Sequence, residues 1–89
     1  MRFSAKSGSK ALSSLAPGRQ AVVVEIEGNE EESRRLGELG VSAGSSLIVV
    51  ARLPFGGPIV AQFEGWKLAI GRRLAQRIRV SESRYKTNS

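Results

Sequence analysis

The residue types that most often carry chemistry are scarce in this chain. Its 89 residues include no cysteine and no histidine. This excludes disulfides, thiolate nucleophiles, zinc sites built from those ligands and any histidine-based acid–base catalysis. Carboxylates and serines remain, but no nucleophile and base occur at a spacing that signals catalysis. We therefore expect a protein that is not an enzyme and has no catalytic residues.

Three consecutive glutamates are the strongest candidate for a metal site. Glu30, Glu31 and Glu32 follow Asn29. Neighbouring residues on a helix point in different directions, whereas a hard cation needs several convergent oxygens. A helix start accounts for them better, because Asn29 can cap the helix and carboxylates in its first turn oppose the positive end of its dipole. We predict no metal site and no bound cofactor.

Two glycine-rich stretches are candidates for phosphate binding, residues 40–44 and Gly56-Gly57. A phosphate-binding loop needs a glycine-rich turn that leads into a longer helix, usually with Lys and Ser or Thr. Neither stretch has this arrangement. We therefore interpret these glycines as turn residues and expect no nucleotide site.

The positive charge of the chain lies mostly near its ends. The formal net charge is +6, but residues 19–80 contain nine Arg or Lys against seven Glu. A nucleic-acid-binding module usually combines a basic face with aromatic stacking platforms, and here the aromatics are few and scattered. We expect no nucleic acid partner. A basic nucleic-acid-binding barrel and a homo-oligomeric interaction module remain the alternatives.

The chain is long enough for one small domain. We expect residues 11–80 to fold, with flexible tails over residues 1–10 and 81–89, where serine, glycine and charged residues prevail. The N-terminus has no apolar run typical of a signal peptide. The longest apolar stretches are far shorter than the ~20 residues that span a bilayer. These features predict a cytoplasmic protein that does not itself cross a membrane.

The first half of the folded region predicts a helical turn, a strand and a helix. Leu12 and Leu15 suit one short helical turn, and Pro17-Gly18 suits a type II turn. Residues 20–27 alternate as a half-buried strand, with Val22, Val24 and Ile26 on one face and Val23, Glu25 and Glu27 on the other. The helix that begins after Asn29 carries the apolar pair Leu36 and Leu39, and Gly40 suits a left-handed ending in which Val41 contacts Leu36.

The second half predicts four strands and one further helical turn. The strands cover residues 47–53, 59–63, 66–70 and 77–80, with a proline-bounded loop at 54–58, a tight turn at Glu64-Gly65 and a helical turn within 71–76. Together with the first strand, this makes five. The fold class is therefore all-β, a small SH3-like barrel with one short inserted helix and one helical turn before the last strand, because closing the sheet removes unpaired edges.

The order of these signals resembles the FeoA (ferrous iron transport protein A) family. In that family a turn and a strand precede the pattern RR-L-x-x-L-G-x-x-x-G. Here the turn is similar to residues 15–18, a strand follows, and the pattern is similar to residues 33–44. Residues 53–59 are similar to the P-x-G-x-P-I loop, and residues 68–80 to the closing strand, turn and strand. The match spans about Leu12 to Val80. Two departures are Ala43, where proline is common, and Leu74, where a polar or acidic residue is usual.

The resemblance implies a small cytoplasmic accessory protein of ferrous iron uptake. Its partner would be FeoB, a membrane permease with a cytoplasmic GTPase domain, which the protein would bind and modulate through protein–protein contacts. Any nucleotide site would then belong to the partner.

Seven residues are candidates for the partner contact. A short helix cannot easily bury two leucines, so one is expected in the core and the other in an apolar groove between helix and barrel. The groove is expected near Pro54, Phe55 and Trp66, although Trp66 suits a core lid equally well, and Leu74 is expected in the core. The chain has two basic pairs, Arg34-Arg35 and Arg72-Arg73. Each pair could be solvated or could complement an acidic patch on FeoB. The candidates are Leu36, Leu39, Pro54, Phe55, Trp66, Arg34 and Arg35.

Overall fold

The structure is a computed structural model that describes residues 8–83. Of the predicted tails, residues 1–10 and 81–89, the segments 1–7 and 84–89 lie outside the described residues, whereas Lys10 and residues 81–82 belong to strands. The elements in chain order are β1 (Lys10–Ala11), a 3-10 turn (Leu12–Ser14), β2 (Gln20–Ile26), α1 (Glu30–Leu39), β3 (Ser46–Arg52), β4 (Ile59–Phe63), β5 (Trp66–Ile70), α2 (Arg72–Arg77) and β6 (Ile78–Glu82).

All six strands form one antiparallel sheet in the order β1-β6-β2-β3-β4-β5. The all-β prediction with one inserted helix and a helical segment before the last strand is confirmed. Five strands were predicted, and β1 is the sixth. Its two residues are too few to produce a sequence pattern, and it forms because Lys10 and Ala11 pair with Val80 and Arg79.

Strand β2 does not keep the predicted alternation along its whole length. Ala21 and Val23 face the core and are buried, so the face of Val22 is not the core face. The register then shifts between Val23 and Glu25, which leaves Val24 as a bulge. One extra residue exchanges the two faces of a strand. Ile26 therefore packs against the same core as Val23.

The core is made of aliphatic side chains and Phe63, which come from strands β2 to β6, from both helices and from the turn before β2. Leu12 and Leu15 are buried as predicted, at 0% and 2% exposure. No polar or charged residue is buried within residues 8–83. The largest fully buried side chains are Leu12, Val23, Val41, Val49, Ile59, Ile70, Ile78 and Val80.

Glu82 connects β1, the end of β6 and the turn before β2. Its carboxylate lies 2.8 Å from Lys10 Nζ and 2.5 Å from Arg19 Nε. The hydrogen bond from Lys10 and the charge of Arg19 outweigh desolvation and hold the pKa of Glu82 below its ordinary value of 4.5. The ionised carboxylate therefore stabilises the fold fully above pH 4.5, and this contribution is lost as pH falls through the lowered pKa.

We expect Glu82→Gln to remove this part of the pH dependence. Urea unfolding measured from pH 7 to pH 3 should show a stability difference between wild type and Glu82→Gln that narrows below about pH 4.5. Glu64→Gln, in the exposed β4–β5 turn, is the matched control and should follow wild type. A constant difference between Glu82→Gln and wild type at every pH would contradict the assignment.

Candidate functional site

Helix α1 begins where the sequence predicted. The Asn29 side chain accepts hydrogen bonds from the backbone N–H groups of Glu31 and Glu32, at 2.7 and 3.2 Å. Such a cap contributes about 1 kcal/mol to helix stability. The three glutamates lie in the first turn, where they oppose the positive end of the helix dipole.

The end of α1 is fastened to the core. Gly40 has a φ of 101°, its N–H donates to Gly37 O at 3.0 Å, and the Val41 N–H donates to Leu36 O at 2.8 Å. These bonds form the predicted Schellman ending. Val41 is fully buried, so the residue after the helix anchors its C-terminal end.

The two leucines of α1 have different environments. Leu36 is the buried residue of the helix, at 4% exposure, whereas Leu39 is 54% exposed. The sequence predicted that one would be in the core but could not decide which. Leu36 is therefore a core residue, whereas most of the Leu39 side chain faces solvent.

A groove of about 240 Å³ separates α1 from β5 and the start of α2. Helix α1 contributes both leucines, Arg35 and Glu32, whose carboxylate is ion-paired with Arg77, and the opposite wall contributes Leu68, Ile70 and Leu74. We call this the α1–β5 groove. Leu68 was not predicted, although it shares a strand face with Trp66 and Ile70 by the two-residue period. Leu74, expected in the core, is half-buried and packs against the core from the groove.

Trp66 covers the C-terminal end of α1. Its ring stacks on Phe63, with centroids 4.9 Å apart and planes at 19°. A Cβ atom placed on Gly40 would lie 3.2 Å from Trp66 Cζ2. This packing favours the lid interpretation, and the partly buried ring does not line the α1–β5 groove.

Pro54 and Phe55 lie in the β3–β4 loop, apart from Trp66. The loop leads into Ile59, which pairs with Ile70, whereas Trp66 pairs with Phe63 at the other end of the β4–β5 hairpin. No loop residue lines the α1–β5 groove. The structure thus brings Leu36, Leu39 and Arg35 together but places the candidate loop residues on a separate surface.

The arginines near the groove differ in their partners. Arg34 forms an exposed ion pair with Glu38 at 3.0 Å on the same helix, of the kind worth about 0.3–0.5 kcal/mol. Arg77 forms an ion pair with Glu32 that joins α2 to the start of α1. Arg35, at the groove, has no carboxylate partner among residues 8–83. The Arg35 side chain is exposed to solvent.

The part of the chain that the structure describes has neither a cluster of metal ligands nor a membrane-spanning helix. No three acidic side chains within residues 8–83 are grouped so that they could hold a metal ion. No helix in the same residues is long and apolar enough to cross a membrane.

Comparison with known proteins identifies one family. Residues 10–82 match the family model described as FeoA domain. The putative Fe(2+) transport protein A of Methanocaldococcus jannaschii is 32% identical over 68 residues, which are 76% of this chain and 80% of that protein.

Two solved structures agree with this match. The crystal structure of an iron uptake regulatory protein (FeoA) superposes with a TM-score of 0.75 at 31% identity and covers 84% of this chain and 97% of that one. FeoA of Stenotrophomonas maltophilia, complexed with zinc and described as a prokaryotic SH3 domain protein, superposes with a TM-score of 0.67 at 32% identity, covering 82% and 94%. The prediction of an SH3-like fold is confirmed.

Proposed function

Because this chain belongs to the FeoA domain family, we propose that it is an accessory protein of ferrous iron transport that binds and modulates a FeoB-type membrane permease. The protein acts in the cytoplasm on the cytoplasmic part of the permease and is not an enzyme. The observation that carries this proposal is Leu39, which is 54% exposed beside the α1–β5 groove.

The α1–β5 groove has the chemistry of a small protein-binding site. Burial of the exposed Leu39 and of the apolar part of the groove would favour binding by a free energy of roughly 25 cal/mol per Å² of apolar surface. Arg35 at the groove can pair with an acidic residue of the partner, which fixes orientation and speeds association. An apolar partner segment with a nearby carboxylate is therefore the occupant that this surface fits.

Capture on the immobilised cytoplasmic part of FeoB tests this proposal. We expect wild type to be retained and Leu39→Glu to be retained about tenfold less, because a carboxylate would have to be desolvated in an apolar contact. Val50→Glu is the matched control, since Val50 is 42% exposed on β3 and does not line the groove. Absence of wild-type retention at both low and moderate salt, or equal retention of Leu39→Glu, would count against the proposal.

The nucleic-acid alternative has less support. Within residues 8–83, Arg19, Arg34 and Arg77 are in ion pairs with glutamates, while Arg52, Arg72 and Arg79 donate to backbone carbonyls. Guanidinium groups committed to the fold are less free to contact phosphates. The homo-oligomer alternative stays a prediction.

A further inference from the structure

The loop between β3 and β4, residues 53–58, carries an exposed apolar tip. We call it the Phe55 loop. Phe55 is 100% exposed and Leu53 is 41% exposed. A single exposed leucine is ordinary on a protein surface, but an aromatic ring with no contact to its own domain leaves a large apolar surface in water.

The Phe55 loop is held in one shape by hydrogen bonds. The Leu53 N–H donates to Pro58 O and the Gly57 N–H donates to Pro54 O, both at 3.0 Å. Arg72 Nε of α2 donates to Gly57 O at 3.1 Å and fastens the loop to the helix. The exposure of Phe55 is therefore a feature of a supported loop.

The backbone at Phe55 is unfavourable for an L-residue. Its φ is +57°, and no other described non-glycine residue has a positive φ. Glycine adopts this conformation without steric cost. An aromatic residue that strains the backbone and packs against nothing contributes little to folding, which points to a use outside the domain.

Three arginines lie at the strand and helix ends that meet at the base of the loop, although the guanidinium of Arg52 donates to Leu15 O. Arg52 ends β3 and pairs with Ile59, which also pairs with Ile70 just before α2. Arg72 and Arg73 then open α2. None of these three arginines has a carboxylate partner within residues 8–83. An apolar tip thus emerges from a positively charged base.

We propose that the Phe55 loop docks this protein on an anionic membrane surface, with Phe55 and Leu53 entering the interfacial layer and the exposed Arg73 contacting lipid phosphates. A protein partner would need a preformed pocket for this protruding ring, whereas a fluid bilayer interface accepts it without one. The cationic base matches a leaflet that contains anionic lipid. The loop does not line the α1–β5 groove, so a bilayer and a protein can be contacted at separate surfaces.

Vesicle co-sedimentation of the whole chain tests the docking. The vesicles are phosphatidylcholine alone or phosphatidylcholine mixed with phosphatidylglycerol, at low and at physiological salt. Wild type should bind the mixed vesicles more strongly, and Phe55→Gly should bind them about fivefold less. Glycine suits the φ of +57°, so this variant should melt no lower than wild type. Val50→Ser, which removes an exposed side chain outside the loop, should bind like wild type.

Three results would overturn the proposal. One is no binding of wild type to the mixed vesicles, and another is equal binding by Phe55→Gly, which would assign the attraction to charge alone. The third is loss of lipid-free capture by FeoB in Phe55→Gly, which would make the loop a protein contact. Failure of the FeoB capture in wild type leaves vesicle binding measurable, so the two proposals fail separately.

Discussion

Leu36→Glu is expected to destabilise the domain by about 3–5 kcal/mol, because it removes a buried leucine and places a carboxylate in the apolar core. Leu36 is 4% exposed and is joined through its carbonyl to Val41. Small domains have free energies of unfolding of about 5–15 kcal/mol, so this loss is a large fraction of the stability and should lower the melting temperature steeply. Thermal and urea unfolding followed by circular dichroism would measure the loss.

Leu39→Glu is the matched variant for this experiment. Leu39 lies on the same helix but is 54% exposed, and a surface substitution of this kind usually changes stability by less than about 0.5 kcal/mol. Because Leu36→Glu should destabilise the domain strongly, its loss of capture by FeoB would report unfolding and not a lost contact. Only Leu39→Glu can therefore be used to test binding. Equal stabilities of the two variants would show that Leu36 does not anchor α1.

Gly40→Ala is expected to cost about 2–3 kcal/mol from two sources. A φ of 101° disfavours any residue with a Cβ atom, by about 1–2 kcal/mol. The new methyl group would also lie 3.2 Å from Trp66 Cζ2. The ring would have to shift away from α1 and disturb its stacking on Phe63.

Gly44→Ala separates these two sources. Gly44 has a φ of +97°, but a Cβ atom there would meet nothing within 4 Å. It should therefore lose only the backbone contribution of about 1–2 kcal/mol. Unfolding free energies of the two variants, together with Trp66 fluorescence, provide the measurement. A Gly40→Ala variant that is no less stable than Gly44→Ala, or one that leaves the Trp66 fluorescence unchanged, would contradict the packing of Trp66 against the end of α1.

Local signals made much of the fold predictable. The Asn29 cap, the Gly40 ending and the turns at Gly18 and Gly65 depend on the conformational preferences of one or two residues. All four are present, with positive φ at each of the three glycines. Strands β4 and β5 have the predicted bounds, because a proline loop, a glycine turn and period-two patterns delimit them.

Two features of the sheet depend on pairing between strands that are distant in sequence, and these could not be predicted. The bulge at Val24 changes which face of β2 is buried, and it arises from the register with β6. Strand β1 is two residues long and exists through its pairing with β6. Neither feature has a pattern that can be read from neighbouring residues alone.

The candidate site was predictable only in part for the same reason. Leu36 and Leu39 were identified from helical spacing, but their burial depends on how α1 lies against β5. Leu68 and Leu74 join them through that packing. Pro54 and Phe55 were grouped with Trp66 because all are apolar, whereas pairing along the β4–β5 hairpin places Trp66 and the loop at opposite ends.

Contact between the α1–β5 groove and FeoB is tested most directly by site-specific photo-crosslinking in cells that contain both proteins. A photoreactive amino acid replaces Leu39 in one variant and Val50 in the other. We expect a crosslinked product with FeoB from position 39 and little from position 50, since both side chains are exposed but only Leu39 borders the groove. No product from position 39, or equal products from both positions, would contradict binding through the groove.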